Sequence, residues 1–508
     1  MDHRREGRGD ARAAHRAGDR IDGGGKAPRL ETHVSAIARS VSVLALWLTA
    51  GIALPANAQR SLPDSVARRI DAVFSRFTSA TPGCAVGVFK DGTIAFAKGY
   101  GLASVEFAAP ITPQTPFIMG SVSKQFTAAA IALLVEQKRI SLDDDIRKYV
   151  PELHDYGKRV TIDELVHHTS GIRDFWALVD AAGMRPDDGY TVDDVLALAA
   201  RQRHLNFDPG AEYNYSNTGY VLLGVVVKRV TGKSLRQFEA EQIFTPLGMA
   251  NSHFHDDHNE PVKGRASAYS ALAGGAWRIN VWNNDIVGQG GLMTTMEDLQ
   301  KWDENFYTGA VGGKAFLARQ LQRGKLNNDS TIAYAFGLEV GAYRGIPMVE
   351  HSGSTGGYRT DIARFASAHT SVATMCNVAN ADAVGLAHRV ADVVLAGKFT
   401  LPVAAASTRA AAQQGAASVA LTPAELAAMA GRYFSDELNA TYELSPVGTR
   451  LVLHRPRAAA DTLHAIDHET LRGSGITIRF MQPVTGTATN FTMDNGRARG
   501  LEFSRAPR

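Results

Sequence analysis

The sequence predicts an α/β (α+β) chain: an antiparallel central sheet flanked by helices, with an all-α cluster, followed by a small antiparallel β-barrel-like domain. Three observations carry this. Apolar runs of strand length stand at both ends of the stretch from 84 to 398, with helical periodicity between them, so one sheet draws strands from both ends. Composition changes after Lys398. Beyond it, short alternating runs separated by turn residues recur, the pattern of a β-sandwich or barrel.

The 508 residues exceed one domain's usual length, which predicts two domains and an N-terminal extension. A hydrophobic content of 45% allows a large core, and a net charge of +3 implies neither a nucleic-acid nor an anionic-membrane partner. The two cysteines, Cys84 and Cys376, read as small buried apolar residues, since their spacing and neighbours match no metal site.

Residues 1–33 are rich in Arg, Asp and Gly and read as a disordered leader. Arg39, the apolar run Val41 to Leu54 and the small-x-small site Ala56-Asn57-Ala58 make 34–58 a signal peptide. The expected location is therefore periplasmic or secreted, with no stable membrane insertion after cleavage; an uncleaved anchor is the competing reading. The charged leader is long for a signal peptide, which places the expected start near Val34.

In the next segment, 59–398, Leu62 to Phe77 has helical spacing. Cys84 to Phe89 and Ile94 to Lys98 flank Asp91-Gly92, a strong hairpin signal. Thr127 to Val135 is apolar enough for a core helix, and helical patterns then dominate to Gly248. Strand-like runs return at Met348 to Ser352, Tyr358 to Ala366 and Thr370 to Val378, before an amphipathic helix over Ala383 to Ala396. Residues 399–420, rich in Ala, Gln and Ser, read as a linker. In 421–508 a short helix over Pro423 to Ala430 precedes strands at Ala440 to Leu444, Arg450 to His454, Ile476 to Met481, Asn490 to Met493 and Gly500 to Phe503, with a hairpin at Asn495-Gly496.

Chemistry concentrates in three places. Ser121 and Lys124 stand three apart at the head of the Thr127 helix, so hydroxyl and amine share one face. A lysine serves as base to a serine only if burial and nearby positive charge lower its pKa, and a helix start also offers N–H groups to an oxyanion. Tyr213-Asn-Tyr215-Ser216-Asn217-Thr-Gly219 supplies a phenol that can ionise or relay a proton and an amide that can orient a carbonyl. Glu350-His351-Ser352-Gly353-Ser354-Thr355-Gly356-Gly357 is extended chain running into glycines that let a ligand approach the backbone. Each motif is weak alone.

Their order and spacing resemble the penicillin-recognising serine hydrolases, the group of class C β-lactamases, D-alanyl-D-alanine carboxypeptidases, D-aminopeptidases and related esterases. Ser-x-x-Lys, Tyr-x-Asn at Tyr215 and Asn217, and His-x-Gly at His351 and Gly353 match in order, supported by His168-Thr-Ser-Gly171 and Gly288 to Thr295. The resemblance implies a β-lactamase/transpeptidase-like fold from about Ala58 to Lys398 and, for the C-terminal region, a lipocalin-like barrel. It further implies Ser121 as acylated nucleophile, Lys124 as its base and Tyr215 as proton shuttle. Asn217 would bind the substrate carbonyl, His351, Gly353 and Ser354 would line the binding strand, and the Ser121 and Ser354 N–H groups would form the oxyanion hole. No cofactor and no metal are expected.

Where β-lactamases carry Lys-Thr-Gly, this chain has His351-Ser352-Gly353. Histidine is poised to titrate, so recognition of a substrate carboxylate is expected to be weak and pH-dependent. The implied substrates are small molecules or peptides: D-residue peptides or small esters first, β-lactams as the alternative. The rival of another class is a non-catalytic protein that binds cell-wall peptides or β-lactams, with no need of all of Ser121, Lys124 and Tyr215. No Ser-Asp-Asn or Gly-x-Ser-x-Gly motif supports other hydrolase classes. The tract His253-Phe-His255-Asp256-Asp257-His258 reads as solvated loop residues, and His167 and His168 as caps of the Thr161 helix. Arg359 and Thr360 read equally as substrate contacts or strand surface, and Trp282, Asn283 and Asn284 as core or pocket wall.

Overall fold

The computed structural model describes residues 61–185, 187–402, 419–481 and 486–507, all within the compact unit Ala58–Arg508. The leader and the signal peptide at 34–58 lie outside the described residues, as does most of the linker. No described helix is long and apolar enough to cross a membrane.

Helix α1 (Asp64–Val73) precedes strands β1 (Cys84–Lys90) and β2 (Thr93–Tyr100). Asp91 and Gly92 join them with φ of 49° and 77°, the two left-handed residues of a type I′ turn. The helices that matter for the site are α2 (Lys124–Glu136), α3 (Ile162–Val166), α4 (Phe175–Ala181), α5 (Asn217–Thr231) and α6 (Met296–Thr308). Strands β3 (Glu339–Tyr343), β4 (Ile346–Thr355), β5 (Tyr358–Phe365) and β6 (Thr370–Cys376) follow, then α7 (Ala383–Val394). The sheet order is β3-β4-β5-β6-β1-β2, antiparallel throughout, so the N-terminal hairpin docks on the last strand.

Helices cover both faces. On one, Ile70 of α1, Phe74 just after it, and Leu386 and Val390 of α7 pack on Val86 and Val88. On the other, Ala85 and Phe89 join the core of α2, whose residues from Lys124 to Leu134 are all buried. A helix buried on all sides is held by packing rather than by an amphipathic face.

The cysteines correct the sequence reading. Cys84 and Cys376 are opposed in the β1–β6 pairing and form a disulfide across 292 residues. Both are buried, as expected, but bonded, and a separation of that size gives sequence spacing nothing to work on.

After helix α8 (Pro423–Met429), eight strands form a closed barrel: β7 (Gly431–Ser435), β8 (Ala440–Val447), β9 (Arg450–His454), β10 (Asp461–Ala465), β11 (Thr470–Arg472), β12 (Ile476–Phe480), β13 (Asn490–Asn495) and β14 (Ala498–Arg505). β14 closes on β7 through Tyr433 and Arg505. Alternate residues point inward, and Tyr433, Tyr442, Leu453, Phe491 and Phe503 fill the interior. The barrel rests on α4. Arg173 Nη1 donates to Glu437 Oε1 at 2.7 Å with side chains 1% and 3% exposed, Asn495 Nδ2 donates to Ala177 O, and the Tyr442 hydroxyl donates to Ala181 O.

Candidate active site

Two glycines allow the site to assemble. Gly120 has φ of 52°, and a Cβ there would lie 2.7 Å from the Ser354 nitrogen; on Gly353 it would lie 2.0 Å from the Met119 oxygen. The Ser121 turn therefore presses directly on β4. Thr355 and Tyr358 close a two-residue turn, so ladder alternation points the Ser354 N–H away from β5.

Ser121 lies on a 3-10 turn, Gly120–Ser123, rather than on the α-helix expected from its spacing. Ser123 closes that turn by donating Oγ to Gly120 O at 2.6 Å and accepting from Leu292 N. Lys124 begins α2, fully buried. Its Nζ lies 2.6 Å from Gln289 O, 2.9 Å from Asn217 Oδ1 and 3.2 Å from Ser121 Oγ. Two of these partners can only accept, so a neutral amine spends its two N–H groups on them and turns its lone pair to the serine hydroxyl. Burial holds the Lys124 amine well below its ordinary range, with Arg497 adding to the effect and Asp174 opposing it.

Asn217 opens α5 after the N-cap Ser216. Its backbone N and Nδ2 both donate to Asp174 Oδ2 at 2.7 Å, which orients Oδ1 toward Lys124. Tyr215 is half-buried with its phenol beside Ser121, and its ring lies 4.8 Å from Lys124 Nζ and 4.2 Å from the His168 ring. Sequence reasoning allowed ionisation near cations; instead, burial raises the phenol's pKa, so the resting group is protonated.

His351 also departs from expectation. Its Nδ1 faces Ser352 O at 2.7 Å and its Nε2 faces the Tyr334 hydroxyl at 2.9 Å. A carbonyl can only accept, so Nδ1 carries the proton and Nε2 accepts from Tyr334. Burial, assisted by Lys124, pushes its pKa down to about 3. The imidazole is neutral at ordinary pH, which removes the expected titrating contact to a carboxylate.

Ser121, Tyr215, Asn217, His351 and Ser354 line one cleft of about 400 Å³, with Arg497 and Glu339 at its wall. A second cleft of about 730 Å³ shares Trp176, Trp282, Ser354 and Thr355 with it, so Trp282 is wall rather than core alone. Asn284 instead accepts from Tyr190 N, and Thr360 and Arg359 bond to backbone carbonyls of Met119, Gly356 and Tyr358. His167 faces the Asp163 and Gln322 carbonyls, the expected capping; His168 is packed behind Tyr215 and accepts from Ser216 N. His253 and His255 are not solvated loop residues. His253–Phe254 pairs with Leu292–Thr294, His255 is fully buried, and Arg236 holds the nearby Glu260.

Asp174, Tyr334 and Arg497 escaped the sequence reading. An Asp before the apolar run Phe175 to Val179 signals only a helix N-cap, which it also is. Arg497 sits in the turn after Asn495-Gly496, legible only as a hairpin.

Comparison with known proteins is consistent with this architecture. The family model described as Beta-lactamase matches residues 64–395. A D-aminopeptidase of Gluconobacter oxydans (strain 621H) is 30% identical over 320 residues, 62% of this chain and 60% of the relative. The chain spans between half and two thirds of the length of the curated relatives it matches. Among solved structures, the octameric penicillin-binding protein homologue from Pyrococcus abyssi matches with a TM-score of 0.59 at 24% identity, covering 87% of this chain and 99% of that one. The D-amino acid amidase from Ochrobactrum anthropi SV3, complexed with L-phenylalanine amide, matches with a TM-score of 0.53 at 21% identity, covering 65% and 98%. At such identities the two structures speak for the fold alone.

Proposed function

Because the chain belongs to the beta-lactamase family of serine hydrolases, we propose that it cleaves amides of D-residues, and small esters, through an acyl-enzyme on Ser121. The observation that carries this reading is the Lys124 amine, whose two acceptor-only partners leave its lone pair for the Ser121 hydroxyl. Ser121 Oγ attacks the carbonyl carbon as its proton passes to Lys124. The Ser121 and Ser354 N–H groups take the developing oxyanion, a contact whose loss costs on the order of 100-fold or more. Tyr215, a protonated phenol against Ser121, relays a proton to the departing amine or alkoxide, and the acyl bond forms as the substrate's C–N or C–O bond breaks. Water, deprotonated by the same route, then releases the acid. Asn217 serves first as the fixed acceptor that orients Lys124, and its remaining amide hydrogen is available to a substrate carbonyl.

D-residue substrates are supported by the D-aminopeptidase relative. A neutral His351 offers no cation to a β-lactam carboxylate at the position where β-lactamases carry lysine, which supports amides and esters as the first substrates to test. The Cys84–Cys376 disulfide supports a periplasmic or secreted location, since such bonds persist in oxidising compartments. The test is turnover of matched D- and L-amino-acid 4-nitroanilides beside 4-nitrophenyl acetate and a chromogenic cephalosporin. Preferential release from the D-anilide is expected. A cephalosporin turned over while both anilides stay intact would move the assignment to β-lactam hydrolysis.

A further inference from the structure

Arg173 and Asp174, adjacent in sequence, face opposite ways. Arg173 reaches into the barrel, donating to Glu437 Oε1 at 2.7 Å, Arg499 O at 3.0 Å and Gly500 O at 3.1 Å. Asp174 turns into the catalytic cluster, where Oδ2 holds both Asn217 nitrogens. Arg497, from the β13–β14 turn of the barrel, closes the circuit: its Nη1 lies 3.5 Å from Asp174 Oδ2 and its carbonyl accepts from Asp174 N at 3.4 Å. Its guanidinium also stands 5.1 Å from the Tyr215 ring, at the wall of the cleft. An unbroken series of contacts thus runs from the barrel to the serine: Arg497, Asp174, Asn217, Lys124, Ser121.

We propose that Arg497 is a positioning residue of the active site, through which the C-terminal barrel fixes Asp174 and hence the Asn217–Lys124–Ser121 arrangement. The inference rests on the serine hydrolase reading and gives the barrel a role in it beyond stability. The groups facing Lys124 are the Ser121 hydroxyl, the Asn217 amide, the Gln289 carbonyl, the Tyr215 and Tyr220 phenols, the His168 and His351 imidazoles, Asp174 and Arg497. Burial keeps the imidazoles neutral and the phenols protonated, so Asp174 and Arg497 are the opposed charges of this set. Without Arg497 the carboxylate acts on Lys124 unopposed and favours its protonated form. Acylation by a neutral amine then requires a higher pH.

The experiment is the pH dependence of the second-order rate of Ser121 labelling by a fluorophosphonate, in the full wild-type chain and in Arg497→Gln and Arg497→Lys. Thermal melts verify folding. In the Gln variant the acid limb is expected to move up by about half a pH unit or more, with labelling below the limb about 3- to 10-fold slower. The Lys variant, which keeps the charge, returns the limb toward wild type. Should Arg497→Gln unfold, Arg497→Met, which retains the aliphatic stem, carries the same expectation. An unchanged profile in a folded charge-removing variant overturns the proposal. So does a loss confined to a higher KM for anionic substrates, which would make Arg497 a substrate contact. Failure of the wild type to label at all would instead refute the serine hydrolase reading.

Discussion

The Tyr334 hydroxyl donates to His351 Nε2 at 2.9 Å, and with Ser352 O on Nδ1 it fixes the imidazole as one neutral tautomer. The folded-state pKa is pushed to about 3 from an ordinary 6.5, so between these values the unfolded chain binds more protons. Stability from this group is complete above pH 6.5 and is lost as pH falls toward 3. Urea unfolding at pH 4.5 and 7.5 should therefore show a smaller pH difference in His351→Asn than in wild type. Equal differences would place His351 in a water-like environment and contradict the assignment.

Tyr215 lies against Ser121 as a protonated phenol, which separates two kinds of leaving group. A departing amine needs a proton and fluoride does not. Tyr215→Phe should lower anilide turnover by about 100-fold or more while slowing fluorophosphonate labelling far less. Parallel losses in both assays would assign Tyr215 to serine activation instead of leaving-group protonation.

The disulfide ties β1 to β6 across 292 residues. Cys84→Ser with Cys376→Ser should cost about 2 to 5 kcal/mol of unfolding free energy in urea. A reductant should lower the wild-type midpoint and leave that of the double variant unchanged.

Gly353 has no room for a methyl group, since its Cβ would fall 2.0 Å from Met119 O and 2.3 Å from Thr360 Oγ1. The first obstacle is backbone and cannot rotate away. Gly353→Ala should lose about 1 to 3 kcal/mol of stability and, by pushing β4 off the Ser121 turn, most of the labelling rate. Gly341→Ala, on β3 where a Cβ meets nothing within 4 Å, is the control.

Local signals were legible in the sequence. Asp91-Gly92 gave its hairpin because a type I′ turn is specified by its own two residues, and Ser121 with Lys124 stood out because three-residue spacing brings side chains together even on a 3-10 turn. Features made by distant contacts were hidden. The Cys84 partner lies 292 residues away, and Asp174 looks like any N-cap until Asn217 is folded against it. Strand β3 was missed because Glu339 to Tyr343 is an edge whose five residues are all exposed or half-buried, so it shows no apolar alternation. His351 misled because its neutrality comes from burial beneath segments distant in sequence, Tyr334 among them.

That the neutral Lys124 amine makes Ser121 a nucleophile is tested most directly by intact mass. After exposure to a fluorophosphonate at neutral pH, the wild-type chain should gain one adduct that peptide mapping places on Ser121. Ser121→Ala should gain none, and Lys124→Met should label about 100- to 10,000-fold more slowly. An unlabelled, folded wild-type chain, or an adduct that persists in Ser121→Ala, would contradict it.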